Sequence, residues 1–187
     1  MDKNRKHPPL KKYPTVGVCG LDCGLCPRFY TAGTSRCPGC CGPGFFDKHP
    51  SCSSVTCCVK KKNLEVCAAC SEFPCSKFKT VEEYEALETS SYPPYRKIIP
   101  NMNFIREHGI GKFVELQRKR IDLLEAMIND FDDGRSKSFY CKRAALLDVS
   151  RLRNSIDMAY RQIEQKQINP NGAKKRAKML KTILQER

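Results

Sequence analysis

Twelve of the thirteen cysteines fall between Cys19 and Cys75, a stretch of 57 residues, and no other feature limits the fold so tightly. They come as four groups of three: Cys19, Cys23, Cys26; Cys37, Cys40, Cys41; Cys52, Cys57, Cys58; and Cys67, Cys70, Cys75. Three groups hold a Cys-x2-Cys step (Cys23/Cys26, Cys37/Cys40, Cys67/Cys70). This spacing lets two thiolates converge on one metal while N–H groups of the turn point at the sulfurs. One such step is a weak signal, but three within one short segment are a strong one. All twelve are candidate metal ligands.

Disulfides, zinc and iron–sulfur compete for these thiols. A disulfide framework suits a short secreted protein, but the chain opens Met1-Asp2-Lys3-Asn4-Arg5-Lys6 with no apolar signal segment, so a reducing, cytoplasmic setting is expected. Zinc is expected first, as two or three ions, because Cys37-Pro38-Gly39-Cys40 is close to a zinc-ribbon knuckle. Cys41 stands where such knuckles usually place glycine, and Gly42 comes one position late. [4Fe–4S] clusters are the alternative, or an addition. Cys19-x3-Cys23-x2-Cys26-Pro27 and Cys67-x2-Cys70-x4-Cys75 each gather three thiolates within nine residues, which suits three corners of a cubane.

Side chains of adjacent extended residues point to opposite sides of the backbone, so the doublets Cys40-Cys41 and Cys57-Cys58 are expected to serve different centres. One partition is Cys19, Cys23, Cys26 with Cys41; Cys67, Cys70, Cys75 with Cys58; and Cys37, Cys40, Cys52, Cys57. The plainer alternative is two sites, with the remaining thiols buried and free. His49, in Asp47-Lys48-His49-Pro50, is a candidate substitute ligand, set against an ordinary solvated turn histidine.

The 187 residues suffice for one domain, or for a small domain with an appendage. No apolar run approaches a membrane span, so no membrane partner is expected. The net charge of +14 is uneven: residues 1–12 and 173–187 hold nine of the fourteen excess charges. Lys3, Arg5, Lys6, Lys11 and Lys12, with Lys174, Lys175, Arg176, Lys178 and Lys181, are candidate contacts to a polyanion, RNA or a ribonucleoprotein such as the ribosome. A solubilising tail is the alternative.

Four segments follow: a basic arm over 1–13, a cysteine-rich metal-binding module over 14–79, a helical domain over 80–168 and a basic C-terminal helix over 169–187. The expected fold class is a small irregular metal-stabilised module, zinc-ribbon or knuckle-like, followed by an all-α domain. Thr15-Val16-Gly17-Val18 reads as one short strand. Beyond Cys26 the density of Pro and Gly leaves little room for regular structure or for a core, so metal rather than apolar packing is expected to fix the backbone. Lys60-Lys61-Lys62 is either a basic surface run or an electrostatic aid to nearby thiolates.

At Thr80 the composition changes. Thr80-Val81-Glu82-Glu83 has capping-box spacing for a helix that stops before Pro93-Pro94. Phe113, Ile121, Leu124, Ile128 and Phe131 recur on one face of the longest helix, 110–131, with Gln117 interrupting that face and Asp132-Asp133-Gly134 ending it. A short helix over Phe139 to Leu147 follows, then one marked by Leu152, Ile156, Ala159 and Ile163. After the break at Asn169-Pro170-Asn171-Gly172 a final helix sets Ala173, Ala177, Leu180 and Leu184 on one side.

Cys19-Gly20-Leu21-Asp22-Cys23-Gly24-Leu25-Cys26-Pro27, with Ser35-Arg36-Cys37-Pro38-Gly39-Cys40, resembles a cysteine-rich family, mostly of anaerobic bacteria and archaea, catalogued as a domain of unknown function and taken to bind metal. The resemblance extends to Glu72-Phe73-Pro74-Cys75 and to Asp133-Gly134-Arg135-Ser136-Lys137-Ser138-Phe139-Tyr140-Cys141. It covers most of residues 15–160 and implies a metal-binding class without a reaction. It also makes Cys141 a candidate ligand, against the default of a buried core thiol. Cys19-x3-Cys23-x2-Cys26 has radical-SAM spacing too, but no alternation of strand and helix follows it, and Leu25 stands where those enzymes usually carry an aromatic residue. No catalytic constellation is legible: His108 lacks a placed partner, and Asp132-Asp133 reads as a turn. A non-enzymatic module is the expectation, with an iron–sulfur protein for electron transfer or redox sensing in an anaerobe as the alternative.

Overall fold

The computed structural model describes residues 11–49, 52–86, 93–169 and 172–185. The basic positions Lys3, Arg5 and Lys6 lie outside them. By its internal contacts the chain forms two compact units, one of residues 1–24 with 28–115, the other of 25–27 with 116–187. The first unit is irregular and rich in cysteine, whereas the second is helical.

No sheet forms among the described residues. The strand expected at Thr15–Val18 is replaced by one bridge between Val16 and Asp22. The backbone turns back too soon for a strand: Gly20, at φ 87°, donates its N–H to Gly17 O at 2.8 Å, and Gly17 N–H reaches Leu21 O at 2.7 Å. Around this turn the cysteine-rich segment makes short 3-10 turns, the one-turn helix α1 (Phe45–Lys48) and a π-helical turn over Val55–Lys61.

The expectation that residues 14–79 bury no core is overturned. Val16, Val18, Phe45, Val55, Val59, Val66 and Phe73 are buried in one apolar cluster together with Ile98, Ile99, Met102, Ile105 and Phe113. The helical segment beyond residue 80 thus supplies five of these twelve side chains. For this reason the contact-defined division falls between Glu115 and Leu116 rather than at Thr80. The capping box at Thr80 does form: its hydroxyl accepts the Glu83 N–H, the Glu83 carboxylate accepts the Thr80 N–H, and α2 (Val81–Glu85) starts there.

Helix α3 (Ile98–Phe131) begins well before the expected residue 110. Gly109 interrupts it with φ 83° and ψ 156°, a backbone region essentially reserved for glycine. The apolar period read from the sequence therefore describes the stretch after the break.

In the second unit, the Asp132 carboxylate accepts the N–H groups of Ser136 and Lys137, and Asp133 accepts Arg135 N–H, so the expected turn also opens α4 (Lys137–Leu146). Helices α5 (Val149–Gln165) and α6 (Ala173–Gln185) pack together along Leu152, Ile156, Ala159, Ala177, Leu180 and Leu184, all buried. Gln117 is buried as well. Arg120 caps the end of α4 by donating one guanidinium N–H to Ala144 O at 2.8 Å and to Leu147 O. Hydrogen bonds to a charged donor contribute about 1.5–3 kcal/mol, so Arg120→Met is expected to destabilise this unit by about 2 kcal/mol in urea titration, whereas the exposed Arg118→Met should cost well under 1 kcal/mol. No helix among the described residues is long and apolar enough to cross a membrane.

Candidate metal centre

The thiols meet in pairs. Cys40 and Cys41 are hydrogen-bonded to each other, as are Cys58 and Cys67. Among the described residues no three Cys, His, Asp or Glu side chains are drawn together tightly enough to hold one ion.

The first pair corrects the expectation that neighbouring thiols face opposite ways. Gly39 at φ 85° and Cys41 at φ 56° are both left-handed, so the doublet is not extended and its two sulfurs fall on one side. Two backbone N–H groups fix Cys40 and its sulfur: Cys40 N–H donates to Pro14 O at 2.7 Å, and Val18 N–H donates to Cys40 Sγ at 3.4 Å. The second doublet is not extended either. Cys57 and Cys58 sit on the π-helical turn, where Cys58 is buried against Cys67 and Cys57 is only half-buried.

Electrostatics pushes the two thiols of each pair in opposite directions. The hydrogen bond from Cys41 pulls the Cys40 thiol below its usual range, and burial only partly opposes it. The hydrogen bond from Cys67 does the same for Cys58. Their partners Cys41 and Cys67 are pushed far up, first by those same hydrogen bonds and then by burial. Cys19, pushed up to about 11 by burial, feels the charges of Cys40 and Cys52, and Cys67 feels those of Cys19 and Cys75.

The remaining ligand candidates spread outward. Cys37 Sγ lies 3.4 Å from His49 Nε2, and the His49 ring stacks on Phe45 with centroids 4.5 Å apart. Burial, then the charge of Arg28, lowers the histidine's pKa, so a neutral imidazole faces the thiol. Cys70 receives a hydrogen bond from Lys62 Nζ at 3.1 Å, and the same ammonium pairs with Glu72 at 2.7 Å. Of the lysine run, this residue at least reaches a cysteine sulfur. Cys23 packs beside the apolar cluster, Cys75 is half-buried and Cys52 is exposed. Cys26 belongs to the second unit, where its charge bears on Cys141. Cys141 is fully buried there, and burial pushes its thiol up to about 12.

Of the basic candidates, Lys174, Lys175 and Lys178 are exposed on α6. Arg176 lies over the Phe131 ring, 5.5 Å from its centroid, and the charge of Lys181 bears on Asp133. Lys12 is exposed. Lys11 is a correction: expected among outward-facing arm charges, it is only 7% exposed, and its Nζ donates to Val16 O at 2.5 Å. Its N–H also bonds Cys41 O at 3.2 Å, which draws the residue inward.

Sequence reasoning missed three supporting residues. Glu65 accepts the N–H groups of Lys12 and Tyr13 at 3.3 and 2.9 Å. Asn101 donates to Gly20 O and to Asp22 Oδ2, both at 2.9 Å, and so ties α3 to the Cys19–Cys23 turn. Lys11 is the third. None lies in a recognisable motif, and Glu65 and Asn101 act on backbone far away in sequence. No protein-family model matches the chain, and no curated protein or solved structure matches it either.

Proposed function

We propose that this is a thiolate metal-binding protein of the reducing cytoplasm, non-enzymatic, which docks on RNA or a ribonucleoprotein through its basic α6. The observation that carries the metal reading is the two hydrogen-bonded thiol pairs, each holding one sulfur toward the thiolate form that a soft metal requires. Cys40 and Cys41, with Cys19 and Cys52 within range of their charge, are the residues that would hold one metal; Cys58 and Cys67, with Cys75, would hold another. The metal would supply structural cross-linking there. The resemblance at Cys19–Pro27 and Cys37–Cys40 supports the same class.

Metal analysis of protein purified without oxygen tests the reading. Two or three zinc ions per chain, colourless, are expected. Brown protein with bleachable absorption near ~400 nm would assign iron–sulfur clusters instead, and metal-free protein would refute both. Docking rests on the exposed Lys174, Lys175 and Lys178. Replacing all three with Gln in the full chain should lower the salt slope for single-stranded RNA by about 2, because each phosphate contact contributes about 0.7. An unchanged slope removes the RNA partner.

A further inference from the structure

Helices α5 and α6 pack together within the second unit and leave a groove of about 330 Å³, lined between Gln162 and Ile168 on one side and between Lys175 and Ile183 on the other. Ile168, Met179 and Ile183 give it an apolar lining, and the exposed Lys166, Lys175 and Lys178 supply its charges. Among the described residues no carboxylate lines it. Asp132 and Asp133 line the adjoining cavity instead, where they already accept the N–H groups of Ser136, Lys137 and Arg135. Met158, one turn before Gln162 on the same face of α5, is 45% exposed and extends the apolar strip.

Three ammonium groups with no carboxylate among them favour an anionic partner. An apolar lining favours one that also carries aliphatic side chains. Met179 and Ile183 stand one turn apart on α6, about 6 Å, a spacing that meets the i, i+4 anchors of a helix laid alongside. No aromatic ring or guanidinium lines the groove, so an unstacked base would find no plane to stack on. We infer that this groove docks an acidic amphipathic helix of a protein partner, with its aliphatic face on Met179 and Ile183 and its carboxylates on Lys166, Lys175 and Lys178. The inference needs neither the metal nor the RNA contact proposed above, although it shares Lys175 and Lys178 with the latter.

Fluorescence anisotropy of the full chain at about 0.15 M salt tests this with a labelled peptide of about 15 residues, leucine at i, i+3, i+4 and i+7 and glutamate and alanine between. A scrambled peptide of the same composition is the comparison. The amphipathic peptide should bind at least about tenfold more tightly, because only it can cover the apolar lining. Lys178→Glu sets like charges together and should weaken it by about tenfold or more, whereas Lys174→Glu, outside this groove, should stay within about threefold of wild type. Met179→Ser should cost the amphipathic peptide about tenfold and leave the scrambled one unchanged. Lys178 is exposed, so its reversal keeps the fold even if the Met179 variant lowers the helical signal. Equal binding of the two peptides, binding of neither, or equal losses at Lys174 and Lys178 overturns the inference. Single-stranded RNA that binds wild type and loses about tenfold with Met179→Ser would assign the groove to RNA and overturn it as well. A chain that binds the peptide as expected and no RNA removes only the RNA reading.

Discussion

If the thiols hold metal as proposed, chelation of the reduced protein is expected to open residues 11–115 to protease as one body while most of the helical circular dichroism survives. The apolar cluster of the first unit is built partly on Cys40, Cys41, Cys58 and Cys67, and it shares Ile98, Ile99, Met102, Ile105 and Phe113 with α3. Structural metal in thiolate sites contributes roughly 10 kcal/mol or more, which exceeds the whole stability of most small domains. Without it the sulfurs are left as two hydrogen-bonded pairs, and the start of α3 loses the surface it packs against. Helices α4, α5 and α6 have a core of Tyr140, Leu152, Ile156, Ala159, Leu180 and Leu184, in which Cys141 is the one buried thiol among the described residues. They should resist cleavage in the same digest. Protection of residues 98–115 while 11–86 is degraded would restore a boundary at Thr80. Loss of both units together would show that one cooperative domain spans the chain.

Gly39→Ala should be among the most damaging single-atom additions to the chain. Its Cβ would sit 2.4 Å from Pro14 O and 2.8 Å from Pro14 C, and its φ of 85° already disfavours a side chain. Pro14 O is also the acceptor that fixes Cys40 N–H, so relief of the clash moves the thiol. Strained backbone costs about 1–3 kcal/mol, and a backbone clash adds to it, giving about 3 kcal/mol or more together with loss of bound metal. Gly33→Ala is the control, with φ 72° and nothing within 4 Å of its Cβ, for which about 1 kcal/mol is expected. Pulse proteolysis in urea compares the two. Equal midpoints would mean that the approach of Gly39 to Pro14 does not constrain the fold.

The helical part was largely legible, because its signals are local. The Thr80 capping box, the Asp132-Asp133 turn and the buried Leu152, Ile156, Ala159 stripe each depend on residues three or four apart. What was not legible depends on residues distant in sequence. The face of Ile98, Ile99, Met102 and Ile105 has the periodicity of any core helix, and nothing in it says that its partners are Val16, Val18 and Phe73. Pairing among the thiols was equally hidden. Cys40 meets Cys41 only because two left-handed residues turn the chain, and Cys58 meets Cys67 across a π-helical turn that composition does not announce. Lys11 was misread because a charge run looks the same whether its residues face solvent or one of them folds inward.

The assignment of residues 25–27 to the second unit bears on how the chain assembles. Leu25 is fully buried, yet it is separated from Leu116, the next residue of that unit, by about ninety positions. Seating it requires closing a loop of that length, whereas α5 and α6 meet across a few residues. Local pairs of this kind form in microseconds, and long loop closures lag behind them. No single proteolytic cut or gene truncation releases either unit whole. A fragment of residues 116–187 would acquire its helices quickly and still lack Leu25, so its last kinetic phase should return only when a peptide spanning residues 25–27 is added in trans.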